Sequence, residues 1–196
     1  MVYPLAYKGA LMMYFLIIAA ALIILVVAWV IMRYNNLVHV KALVAEAWSG
    51  IDVQLRRRYD LIPNMVNVVK GYSIHEKNII EDIVRMRAAS MGATDLHQKE
   101  SAEIGLTKSL KSLFALAEQY PDLKANQNFL ALQQELSAIE GELQLSRRYY
   151  NGTVRNYMTL ITQFPSNIIA KMFNFTPISY FEVTESAERT NPHITF

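Results

Sequence analysis

The stretch from Ala10 to Met32 constrains the chain most, because about 23 residues pass there without a charged side chain. At ~1.5 Å per helical residue, that length covers the ~30 Å hydrocarbon core of a bilayer. No proline or internal glycine interrupts the run, so its backbone hydrogen bonds can all close within the segment, as lipid requires. Tyr14 near one end, and Trp29, Arg33 and Tyr34 near the other, suit the two membrane interfaces. A cleaved signal peptide would have a shorter apolar region of ~7–15 residues ending in a small-x-small site. Here Ala19, Ala20 and Ala21 lie mid-run. A buried core helix would keep a polar face, and this stretch has none. The segment reads as a transmembrane helix.

The flanks set the expected orientation. Lys8 and the terminal amine stand on one side; Arg33, Lys41, Arg56, Arg57 and Arg58 stand on the other. The basic excess favours an outer N-terminus and a cytoplasmic C-terminal part. Of the 196 residues, about 160 remain for the aqueous side, enough for one domain with its own core. Charges outside the span are mixed and the formal net charge is only +2, so nucleic-acid binding has no electrostatic footprint. With no cysteine, the chain has no disulfide, thiolate metal site, cysteine nucleophile or acylated cysteine.

Beyond the span, Val40, Val44, Trp48, Ile51, Leu55, Ile62, Val66 and Val69 recur mostly at steps of three and four, the stripe of an amphipathic helix. The membrane helix is expected to continue into it. Pro63 removes an intrahelical donor, so a kink is expected there, with a stop and restart capped by Asp60 as the other option. Arg58 or Asn64 is placed to supply the missing donor. Gly71 to His75 reads as a turn. Ile79, Ile80, Ile83, Val84 and Met86 mark a second helix. Asp95 caps a third, which carries Leu106, Leu110, Leu113, Ala117 and Tyr120 before Pro121. A fourth begins near Asn126 or Asn128 and carries Phe129 through Phe164 at coiled-coil-like spacing until Pro165. No stretch alternates long enough to argue a strand.

The expected fold is all-α, an N-terminal transmembrane helix continuing into an antiparallel up-and-down four-helix bundle. Residues 1–9 form the outer N-terminus, 10–32 the span and 33–165 the bundle. Residues 166–181 are a short apolar and aromatic segment, and 182–196 a polar tail.

Few residues suggest chemistry. His75-Glu76 lacks the second histidine of H-E-x-x-H, since position 79 is Ile79. His39, His97 and His193 stand alone. The carboxylates Glu76, Glu81, Asp82, Glu135, Glu140 and Glu142 read as solvated helix faces. No phosphate loop or G-x-S-x-G elbow occurs. No metal and no cofactor are expected. Consecutive Arg56, Arg57 and Arg58 fan around a helix, so they read as solvated, with Arg56 reaching Asp60; the alternative is a docking surface.

The run from Glu46 through Trp48 and Arg56-Arg57-Arg58-Tyr59-Asp60-Leu61-Ile62-Pro63-Asn64, followed by Val69-Lys70-Gly71-Tyr72 and His75-Glu76, resembles the LemA family of bacterial membrane proteins. Phe114-Ala115-Leu116-Ala117-Glu118, Tyr120 to Asn126, Arg147-Arg148-Tyr149-Tyr150-Asn151 and Phe164-Pro165-Ser166-Asn167 continue the match in order. Gly50 and Arg56 depart from the acidic residue and lysine of the family pattern, and Thr176-Pro177-Ile178 replaces a more charged stretch. The resemblance implies a helical bundle anchored in the bacterial inner membrane, with a short outer N-terminus, a cytoplasmic body and no catalytic residues. It also implies association with membrane metalloproteases of the heat-shock type.

These readings converge on a non-enzymatic membrane scaffold or adaptor that binds lipid and a membrane-protein partner, or copies of itself as a membrane-organising homo-oligomer. An enzyme of unknown activity is the remaining alternative. Arg57, Arg58, Tyr59, Asp60, Pro63 and Asn64 are the candidate docking or kink residues. Trp29, Arg33, Tyr34, Ile168, Ile169, Met172, Phe173 and Phe175 are the candidate membrane-interface residues. An even number of antiparallel helices brings Pro165 back toward the membrane, where Ser166 can cap a short interfacial helix with Lys171 pointing elsewhere. The same residues would alternatively plug the open end of the bundle core.

Overall fold

A computed structural model describes residues 4–72 and 77–182, with side chains from residue 11 onward. His75, Glu76, His193, Lys8 and residues 183–196 of the polar tail lie outside the fully described residues. Among the described residues the chain is all-helical: α1 (Pro4–Lys70), α2 (Lys77–Gly92), α3 (Leu96–Ala117), α4 (Pro121–Lys124), α5 (Gln127–Thr162) and α6 (Ser166–Met172). Helix α1 begins ahead of the apolar run, at Pro4, a residue suited to a first helical turn. It continues unbroken through Pro63, so there is no restart at Asp60. Its apolar stretch is long enough to cross a membrane, and none of that window is buried against protein. These properties fit a single-pass anchor.

The chain divides into two compact units, residues 46–152 with 179–196 and residues 1–45 with 153–178. In the first, Ile51, Leu55, Ile62, Val66 and Val69 of α1 are buried, as the stripe requires, together with Ile83, Leu106, Leu113, Leu136, Ile139 and Leu143 of the other helices. Helix α5 runs antiparallel to α1: Tyr72 meets Asn126, Arg58 meets Glu140 and Trp48 meets Tyr150, equal steps down one helix and up the other. Helix α3 runs parallel to α1, with Lys99 on Asp52 and Glu103 on Arg58. This is the up-and-down arrangement. The Met86 side chain of α2 packs over Gly105 of α3, where an added Cβ would come 2.6 Å from Met86 Sδ.

Caps fix the ends. Asp95 accepts from the Gln98 amide at 2.8 Å and starts α3. Asn126 accepts from the Phe129 amide at 3.0 Å and starts α5. Pro121 not only ends α3 but opens the short α4.

In the second unit Leu37 and Val44 of α1 are buried, as are Val154, Tyr157 and Ile161 of α5. The Tyr34 ring packs on Phe173 and Phe175, with centroids at 4.7 and 5.9 Å. Ser166 does not cap α6. Its hydroxyl donates instead to the Leu160 and Gln163 carbonyls at 2.6 and 2.9 Å, and Pro165 occupies the cap position. The apolar residues of this segment also split: Ile169 is buried, whereas Ile168 and Met172 of α6 and Phe173 just after it are exposed.

Candidate functional site

The densest polar chemistry in the first unit lies inside the bundle. Arg58 is only 1% exposed and Glu103 is fully buried. Arg58 Nη1 donates to Glu103 Oε2 at 2.8 Å, and Nη2 donates to the Thr107 hydroxyl at 2.8 Å. Its Nε lies 2.9 Å from Glu140 Oε1, an ion pair whose N–H does not point at the oxygen. The other Glu103 oxygen accepts from the Tyr59 hydroxyl at 2.5 Å. Burial, and then the Glu103 carboxylate, push the Tyr59 phenol far above its ordinary value. Arg147 stacks on the Phe181 ring at 5.0 Å, while its Nε and Nη2 are buried without hydrogen-bond partners. Burial lowers its pKa, and Arg58 adds to that effect.

The position of Arg58 corrects the expectation of a solvated arginine. Ile51, Leu55, Arg58 and Ile62 fall at steps of four, three and four, so Arg58 occupies a core position. That spacing was the available sequence signal. The missed element was its partner, since Glu103 lies a helix and a turn away in the chain. Arg56 pairs with Asp52 at 3.1 Å, toward the preceding turn, and not with Asp60. Nor does Arg58 or Asn64 satisfy the carbonyl that Pro63 leaves without its helical donor. The donor is Arg87 of α2, whose Nε lies 2.7 Å from the Tyr59 carbonyl oxygen.

The remaining docking candidates share one outer strip. Arg57, Asp60, Pro63 and Asn64 are exposed, with Val53 and Asn67 in line one turn before and after. Arg57 donates to the neutral Gln54 side chain at 3.2 Å, leaving its charge open to solvent. Tyr59 faces inward and leaves the docking set with Arg58.

A cleft of about 380 Å³ borders the ion cluster, lined by Leu110 and Phe114 of α3, Gln133 and Leu136 of α5, and Arg58 and Glu140. Arg58 is already committed to two carboxylates there. Among the described residues, no group of three or more His, Cys, Asp or Glu side chains can hold a metal ion. His39 is exposed, and His97 is exposed beside Glu100 at 3.3 Å. Asp82 pairs with Arg85, and Glu81, Glu135 and Glu142 face solvent.

Sequence reasoning also missed a clamp at the end of the described chain. The Asn151 side chain exchanges two hydrogen bonds with the Phe181 backbone, at 2.9 and 2.8 Å, and Tyr150 donates to the Ser179 carbonyl at 3.0 Å. Phe181 is thereby buried against Trp48, with ring centroids 5.9 Å apart, and the Glu182 amide donates to Glu100 at 2.5 Å. Only Phe181 in this segment has a sequence signature of burial, so periodicity gave no sign of the clamp.

The arginine-centred bundle is matched by the LemA family profile over residues 47–196. The chain belongs to the LemA family. Protein LemA of Metamycoplasma hominis is 24% identical over 157 residues, covering 78% of this chain and 70% of that protein. Magnetosome protein MamQ 2 of Paramagnetospirillum magneticum is 22% identical over 182 residues, covering 80% and 67%. MamQ of Magnetospirillum gryphiswaldense is 22% identical over 178 residues, covering 78% and 65%. In LemA-family terms, the matched region contains Arg58, Tyr59, Glu103, Glu140 and Arg147, the whole of the buried cluster.

Proposed function

We propose that this LemA-family protein is a non-enzymatic membrane-anchored scaffold, whose bundle presents the outer strip of α1 to a membrane-protein partner. The observation that carries this reading is the commitment of the strongest ionisable constellation to internal pairing: Arg58 and Glu103 are 1% and 0% exposed. A reactive site needs groups that can meet a substrate, and these meet each other. What remains open is the uncovered apolar stretch of α1 and the polar strip of Arg57, Asp60 and Asn64. The relatives, Protein LemA and Magnetosome protein MamQ 2, carry names that describe no reaction. The N-terminus faces out and the bundle is cytoplasmic, by the basic residues that follow the span. The family resemblance supplies a membrane metalloprotease of the heat-shock type as the first partner to examine.

Photo-crosslinkers at Arg57 and Asp60 in intact membranes test the reading. A recurrent adduct with one membrane protein, lost on Arg57→Glu, is the expected result. Adducts only between copies of this chain would shift the reading to a membrane-organising homo-oligomer, and native mass measurement in lipid nanodiscs would then show a discrete assembly. No adduct at either position would remove the docking role of the strip.

A further inference from the structure

The second compact unit has an unusual composition. Its residues, 1–45 and 153–178, include no aspartate or glutamate, while Arg33, Lys41, Arg155 and Lys171 all follow the apolar span and are exposed. Such a surface has no internal counter-charge and attracts anions. Within the same unit α6 is two-faced. Ile169 and Ala170 are 2% and 1% exposed, whereas Ile168 and Met172, one helical turn apart, are 51% and 62% exposed. Phe164, just before the helix, is 75% exposed, and Phe173, just after it, is 46% exposed.

The level of this apolar face along α1 is fixed by packing. Tyr34 lies two residues beyond the end of the apolar run, a rise of ~3 Å, and its ring is the one that packs on Phe173 and Phe175. Lys41 extends over the Phe175 ring at 5.8 Å, and Arg33 lies over Trp29 at 5.9 Å. Aromatic rings with cations beside them, at the end of a membrane span, match the boundary between acyl chains and headgroups.

We propose that Phe164 to Phe175 is a second membrane attachment, with Phe164, Ile168 and Met172 inserted at the headgroup boundary of an anionic phospholipid bilayer and Arg33, Lys41, Arg155 and Lys171 facing its phosphates. A piece this short binds lipid weakly alone, but α1 already holds it at the surface, so no association cost opposes insertion. The attachment rests on the reading of α1 as a membrane anchor, and it makes the end of the bundle sensitive to lipid charge.

The natural lack of cysteine permits a direct test. Met172→Cys, Ile24→Cys and Gly92→Cys, each in the full chain and carrying an environment-sensitive dye, are reconstituted in vesicles of phosphatidylcholine and phosphatidylglycerol in equal parts. Lipid-borne quenchers should act on position 172 at least about threefold more than on position 92. In phosphatidylcholine alone, quenching at 172 should fall by about half while that at 24 stays constant. Ile168→Cys repeats the measurement should the change at 172 disturb packing. Quenching at 24 with none beyond background at 168 and 172 would overturn the attachment and leave the anchor standing. No quenching at 24 would overturn the anchor as well. Protection of 172 from aqueous iodide without lipid quenching would mean that protein covers the face, which also overturns the proposal. Quenching at 172 indifferent to phosphatidylglycerol would overturn the role of the four basic residues.

Discussion

A guanidinium at 1% exposure persists only while its carboxylates stay within reach. Arg58→Ala would leave Glu103 charged and fully buried, and a loss of about 3–5 kcal/mol is expected in thermal unfolding of the detergent-solubilised chain. Arg58→Met combined with Glu103→Gln should cost less than Arg58→Ala, because it removes both charges and leaves an acceptor for Tyr59. A double variant as unstable as the single one would mean that the ion pair itself, and not the stranded carboxylate, carries the stability. Tyr59 adds a pH dependence. Its folded-state pKa is raised, so the folded chain holds that proton longer than the unfolded one. This contribution is therefore complete below the unfolded phenol value of about 10 and declines as the pH rises above it. Tyr150 and Tyr157 are raised in the same sense by burial. Melting temperatures should fall above about pH 10, and fall less steeply in Tyr59→Phe. The core stripe of α1 was legible from the spacing of its aliphatic residues, but a charged residue at a stripe position reads as solvated unless its partner is known. That partner comes from tertiary packing, to which helical periodicity is blind.

At the scale of elements, the proline of α1 is stitched to α2. Pro63 leaves the Tyr59 carbonyl without its helical donor, and the Arg87 side chain replaces it at 2.7 Å. Arg87→Ala should cost about 1.5–3 kcal/mol, the value of a charge-assisted hydrogen bond. In a Pro63→Ala background the restored backbone amide reaches the same carbonyl, so the cost of Arg87→Ala should shrink by at least about 1 kcal/mol. Additive losses in this double-mutant cycle would show that Arg87 acts through packing alone. The four long helices were readable from periodicity and the Asp95 cap from the preference of short polar side chains, whereas the four-residue α4 was not, because one turn carries no repeat, and the start of α5 was left between Asn126 and Asn128. The Ser166 cap was misread because a hydroxyl can equally turn back to a carbonyl of the preceding turn, as it does to Leu160 and Gln163. The split face of α6 follows from the same limit: seven residues offer too few repeats to tell an inserted flank from a packed one.

For the molecule as a whole, the proposed orientation rests on few charges. Arg56 is partnered by Asp52, and Arg58 by Glu103 and Glu140, so Arg33, Lys41 and Arg57 are the residues left to support the proposed cytoplasmic C-terminal side. Gly92→Cys should be labelled by a membrane-impermeant maleimide only after cells are opened, and labelling of intact cells would reverse the topology. The matched pairing of α1 with α5 bears on how such a protein changes over generations. Loss of one codon between Trp48 and Arg58 would rotate everything beyond it by about 100°, turning Arg58 away from Glu103 and Glu140. A compensating loss in α5 alone would restore the spacing to Glu140 but not to Glu103 on α3. Viable changes in the length of this bundle are therefore restricted to concerted insertions or deletions in neighbouring helices, in units close to about seven residues, the shortest near-whole number of turns that keeps each stripe facing its core.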